Sequence, residues 1–124
     1  MGNLDIEKIA IDFVIKYEKK QGRQAKRIPQ GKGYDVLSKN RKIEVKGKSH
    51  EKPILANLNS HNVKAAINEK NWYLYVVYNI KNFNLKKGKI KLMIFNKSEI
   101  NIRKGEEIHW KIPIRKDDLN NMVK

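Results

Sequence analysis

The sequence predicts an α/β domain, and three segments carry that expectation. Residues 5–21 repeat apolar side chains at helical spacing. Residues 34–38 and 41–47 read as the two strands of a hairpin, turned at Lys39-Asn40. Trp72 to Ile80 is apolar and aromatic almost throughout, the pattern of a central strand buried on both faces. At 124 residues the chain is one domain, 1–124, large enough to enclose a core.

The first helix is amphipathic. Asp5, Lys8, Asp12, Lys16 and Lys19 form its solvent stripe, while Ile6, Ala10, Phe13, Val14 and Tyr17 lie on the other side. At ~100° per residue, Glu7 and Glu18 project within about 20° of each other and away from the solvent stripe. Two inward acids need a partner, because ionised carboxylates are rarely buried alone. Either acid could support a site; the alternative is that each frays to solvent or pairs with a lysine. Gly22 ends the helix. A short strand over 24–28 stops at Pro29.

The hairpin carries the chemistry. Side chains alternate along a strand, so Glu44 and Lys46 point one way and Ile43 and Val45 turn to the core. Asp35 sits on the neighbouring strand, after Gly31-Lys32-Gly33, whose small residues let a phosphate backbone approach. Two converging carboxylates suit Mg²⁺, a hard cation that takes oxygen ligands. A lysine beside them can stabilise charge on a phosphate or orient the attacking water.

The remaining elements are a polar loop over 49–53, a short strand over 54–58, and a helix from Asn59 or Ser60 to about Lys70 with Val63, Ala66 and Ile67 inward. After the buried strand come a basic, Asn-rich loop over 81–88 and a strand over 89–95. Alternation over 108–114 predicts an edge strand, given Pro113. A short helix is expected over 117–123. Residues 81–124 either extend the sheet or make a homodimer contact.

Composition narrows the partners. There are 28 Lys+Arg against 13 Asp+Glu, a formal charge of +15. Such a field favours polyanions, of which nucleic acid is the commonest, although a Lys-, Ile- and Asn-rich composition alone raises the charge. No cysteine is present, which excludes disulfides and thiolate-bound zinc and fits a reducing cytoplasmic setting. No apolar stretch is long enough for a membrane span, and Met1 to Asp5 lacks the layout of a signal peptide. His50, His61 and His109 have no ligand spacing among themselves. Gly31-Lys32-Gly33 is no P-loop, since no Gly-Lys-Ser/Thr ending follows. Trp72, Tyr73, Tyr75 and Tyr78 are read as core rather than as a base-stacking platform.

Several blocks in order resemble the C-terminal domain of the plant protein NO VEIN and its prokaryotic relatives. They are Ile6 to Ala10, Val14 to Glu18, Gly22-Arg23, Gly33 to Ser38, Ile43 to Lys48 and Tyr73 to Asn79, within about residues 6–80. That family is similar to the PD-(D/E)XK nucleases. The resemblance implies a four-stranded mixed sheet flanked by helices, a restriction endonuclease-like core, with Asp35 and Glu44 as metal ligands and Lys46 as the superfamily's lysine. Many such nucleases also carry a helix-one Glu at or near the metal, a role open here to Glu18 or Glu7. The family tends to place an Asn-Glu pair at the start of its second helix, where this chain has His61-Asn62.

The expected function is therefore Mg²⁺-dependent hydrolysis of DNA phosphodiesters, with Mn²⁺ as a substitute and RNA as an open alternative substrate. Asp35, Glu44 and the Val45 carbonyl would hold the metal, and Lys32, Lys48 and Lys52 would grip phosphates. The alternative is a non-catalytic module of the same fold, binding nucleic acid or protein beside a helicase or ATPase partner.

Overall fold

The computed structural model describes residues 3–29, 31–51, 55–100, 110–113 and 122–123. It is an α/β structure with a mixed sheet and flanking helices. Helix α1 (Asn3–Lys20) leads to β1 (Ala25–Arg27), β2 (Val36–Ser38), β3 (Arg41–Gly47) and β4 (Leu55–Leu58). Helix α2 (Ser60–Asn68), β5 (Trp72–Tyr78), α3 (Ile80–Asn84), β6 (Lys91–Asn96) and α4 (Lys97–Ile100) follow, then β7 (Trp110–Pro113) and β8 (Met122–Val123). Among the described residues the main sheet has six strands in the order β1-β2-β3-β5-β6-β8. Among these described strands only β3 and β5 run parallel; the other pairings are antiparallel. Strands β4 and β7 form a separate two-stranded ribbon.

Strand β5 organises the two cores, because both of its faces are apolar. Trp72, Leu74, Val76 and Tyr78 face α2, joining Leu58, Val63, Ala66, Met93 and Phe95. Tyr75 and Val77 face α1, joining Ala10, Ile11, Val14, Val36, Ile43 and Val45. The inner stripe of α1 includes Ala10, Ile11, Val14 and Glu18, all at or near zero exposure. It is centred one residue from the stripe expected from Phe13 and Tyr17, which pack only partly buried at its margin.

Most elements lie where the sequence places them. The sheet has six strands rather than the four the resemblance implies, since β6 and β8 extend it beyond β5. The loop expected at 81–88 begins as a helical turn, α3, fixed by Phe83 N–H and Leu85 N–H donating to Asn79 and Lys81 carbonyls at 3.1 and 3.0 Å. In place of a terminal helix over 117–123, Met122–Val123 pairs with Leu92 and Met93; residues 117–121 lie outside the described residues. The strand over 108–114 is described only at Trp110–Pro113. Among the described residues no helix is long and apolar enough to cross a membrane.

Gly33 holds the loop before β2 against α2. Its φ is +84°, and a Cβ there would stand 2.2 Å from the His61 carbonyl oxygen and 2.6 Å from the Ala65 Cβ. The Gly33 carbonyl accepts from Asn62 Nδ2 and Trp72 Nε1, each at 3.1 Å. The missing side chain thus makes room for a helix. Gly31, at φ +99°, has open space around it. Gly33→Ala is expected to cost about 2–5 kcal/mol, summing left-handed strain and overpacking. Gly31→Ala should cost only about 1–2 kcal/mol, the strain alone. Urea midpoints of the two variants check the ordering.

Candidate active site

The register of the hairpin brings the acids together. Val36 pairs with Ile43, and Asp35, one residue before β2, lies close enough to Glu44 for their carboxyl groups to interact. Asp35 N–H donates to the Ile43 carbonyl at 2.8 Å. Strand β2 goes no further, which leaves the Val45 amide without a strand partner on that edge. The Asp35 carboxylate fills the gap, accepting from Val45 N–H at 2.9 Å. A strand residue presents its N–H and C=O to the same neighbour, so the Val45 carbonyl also faces the Asp35 edge.

Glu44 is nearly buried, at 6% exposure. Lys46 reaches it across one turn of the pleat, Nζ to Oε2 at 3.1 Å. Burial first, and the neighbouring Asp35 charge second, push the Glu44 carboxyl up to about 8; Lys46 opposes both without cancelling them. The Glu44 carboxyl therefore holds its proton near neutrality. Among the described residues, no group of three or more His, Asp and Glu side chains stands close enough to hold a metal. Two carboxylates and a backbone carbonyl remain a fitting donor set for Mg²⁺, which commonly keeps several waters and takes further oxygens from phosphates.

These groups line a cleft of about 680 Å³ at the carboxyl end of β3. Its walls include Tyr34, Asp35, Glu44, Lys46, Lys48, His50 and His61. Glu7 reaches the same cleft from α1. Gly47 explains how: a Cβ there would stand 2.9–3.0 Å from Ile6 and Ala10 atoms, so α1 lies directly on the end of β3. Lys48 is partly buried, and burial together with the Lys46 charge lowers its pKa. Lys32 lies exposed on the loop at the Gly31 side. Lys52 lies outside the described residues.

Glu18 is not in the cleft. Its carboxylate accepts from Arg23 Nε and Nη2 at 2.7 and 2.8 Å and from the Tyr75 hydroxyl at 2.9 Å. Arg41 donates to the same hydroxyl at 2.9 Å and stacks 4.4 Å over the Tyr73 ring. Burial alone would raise the Glu18 carboxyl, but Arg23 and Tyr75 more than offset it and hold it below the ordinary range. Inward placement of both helix acids is thus correct, and their destinations differ. Sequence reasoning missed Asn62. It caps α2 reciprocally with Asn59 and also anchors Gly33, which fixes the loop leading to Asp35. The capping signal was present as Asn59 followed three residues later by a second amide.

Comparison with curated proteins finds no match. The family described as Protein NO VEIN, C-terminal, matches residues 6–93, from the helix that carries Glu7 through the hairpin to Met93 in β6, further than the 6–80 that the sequence blocks cover. The chain belongs to the NO VEIN C-terminal domain family.

Proposed function

We propose that this domain is a Mg²⁺-dependent nuclease that hydrolyses DNA phosphodiesters. The observation that supports the reading is the meeting of Asp35, Glu44 and Lys46 on one face at the open end of β3. Asp35, Glu44 and the Val45 carbonyl would hold the cation, which when bound polarises the scissile phosphate and acidifies water beside it. Lys46 keeps its ammonium against the Glu44 carboxyl, ready to offset negative charge growing on the phosphate. Glu7, at the rim, can accept a proton from water entering the cleft. Lys32 and Lys48 would position the backbone without reading sequence.

The second reading is a binding module of the same fold, acting beside a helicase or ATPase. It draws support from the self-contained bonding of the cluster: Asp35 occupies the Val45 amide and Lys46 occupies Glu44. Labelled single-stranded, duplex and junction DNAs, with a parallel RNA set, separate the two when incubated with Mg²⁺, Mn²⁺ or chelator. Cleavage that needs the cation supports the nuclease. Binding without cleavage on every substrate supports the module. In both, affinity should fall by about 10³-fold or more between 50 and 200 mM salt if six or more phosphates are contacted. Salt-insensitive or absent binding would trace the +15 charge to composition alone.

A further inference from the structure

Phe83 and Leu85 are the exposed large apolar side chains among the described residues, at 47% and 53% exposure. They stand on α3 and the turn after it, among Lys81, Lys86, Lys87 and Lys89, all exposed. No Asp or Glu occurs between Glu69 and Glu99. Along the chain, the charged neighbours of the apolar pair are therefore all cations.

The knob is built rigidly. Lys86 takes a left-handed φ of 59°, and its N–H donates to the Phe83 carbonyl at 3.0 Å. Lys87 N–H donates to the Asn82 carbonyl at 2.8 Å. Asn79, itself left-handed at φ 64°, ties both ends: its Nδ2 donates to the Lys89 carbonyl at 2.8 Å and its Oδ1 accepts from Asn82 at 2.7 Å. The backbone that carries the two exposed apolar side chains is thus fixed by its own hydrogen bonds before any partner arrives, which lowers the ordering cost of docking.

Its position relates it to the cleft. Strands β3 and β5 are parallel, so their carboxyl ends share one edge of the sheet. The segment that leaves β3 and borders the cleft, residues 48–50, is bonded to the start of α3. Asn79 N–H donates to the His50 carbonyl at 2.9 Å, and Lys81 N–H donates to the Ser49 carbonyl at 3.1 Å.

We propose that this knob docks an unpaired stretch of a nucleic-acid strand, with Phe83 and Leu85 against base faces and the surrounding lysines on phosphates. The surface rests on the nucleic-acid reading of the cleft and deepens it, because a duplex hides its base faces and a single strand offers them. An aromatic beside cations is the chemistry of single-strand capture. A protein partner would have to bring acids of its own to answer four lysines, whereas every nucleotide of a strand carries a phosphate.

The test is fluorescence anisotropy with a labelled oligothymidine and a labelled blunt duplex, in chelator so that no cutting intrudes. Phe83→Ala combined with Leu85→Ala should weaken oligothymidine binding about tenfold and duplex binding less than about twofold. Phe83→Trp should keep the affinity, and its emission should be quenched by oligothymidine. Unchanged binding in the double variant, equal loss on both probes, or an unquenched Phe83→Trp overturns the proposal; unchanged nucleic-acid binding would leave the knob to a protein partner. Circular dichroism and melting should match wild type, since both side chains are exposed. The nuclease reading is judged separately, by cleavage in Mg²⁺. Binding that depends on Phe83 without any cutting sinks the nuclease and keeps the knob, and cutting that ignores Phe83 does the reverse.

Discussion

Glu44→Gln is expected to abolish cleavage and cation binding while leaving the fold intact. The substitution keeps the size of the side chain and removes the charge that the cation needs. Lys46→Ala should cut at no more than about a hundredth of the wild-type rate, in line with the loss of one transition-state donor, yet still take up Mg²⁺. If DNA is held by dispersed lysines, as proposed, its binding should largely survive in both. Calorimetric titration with Mg²⁺ beside a cleavage assay separates the two roles. Should wild type cut and both variants cut equally well, the chemistry lies elsewhere.

The same residue sets a pH dependence that needs no substrate. The Glu44 carboxyl stands at about 8 in the folded chain against 4.5 as a free side chain. Between those values the folded state holds a proton that the unfolded state has released. Stability from this group is therefore full at low pH and is lost as pH rises toward about 8, by linkage. Glu44→Gln cannot ionise, so chelated Glu44→Gln should gain on wild type as pH climbs from 5 to 8. Urea midpoints taken across that range test the sign. A constant difference would mean that Glu44 is already ionised in the folded chain.

How far the sequence discloses this site depends on which interactions are local. Glu44 and Lys46 are set by strand alternation, and Asp35 by a tight hairpin with a two-residue turn, so their meeting follows from short-range rules. Their surroundings do not. Nothing in the alternation of β3 says that Gly47 carries α1 on its back and so delivers Glu7 to the cleft. The burial of Gly33 under α2 joins residues 28 positions apart. The strand β8 is read poorly for a related reason. Its pairing with β6 is decided by an open sheet edge, while the local sequence suits a helix end equally well. Helix acids pose the hardest case. Glu7 and Glu18 share one stripe, and only the third dimension sends one to the cleft and the other to Arg23.

That divergence yields the second large effect. Arg23→Ala is expected to destabilise the domain by about 3–5 kcal/mol, because it strips the cation from a buried carboxylate. Glu18 is fully buried, and once the guanidinium is gone its side chain is left with neutral hydroxyls, Tyr75 foremost. Glu18→Gln should cost less, about 1–3 kcal/mol, since the amide still accepts from Tyr75 and the partly exposed Arg23 can turn to water. The pH response distinguishes this from simple loss of packing. In wild type Arg23 and Tyr75 hold the Glu18 carboxyl below the usual range, so its contribution is present above the unfolded carboxylate pKa and fades as pH falls through the depressed value. In Arg23→Ala the effect of burial is no longer opposed by the guanidinium, and Glu18 takes up a proton more readily. The deficit of the variant should accordingly shrink as the pH is lowered toward 4. Cleavage measured at a temperature where all variants remain folded completes the separation. Glu7→Gln should lower the rate with little change in stability, and Glu18→Gln should lower stability with little change in rate. The reverse pairing would return Glu18 to the chemistry and make the Arg23 contact incidental.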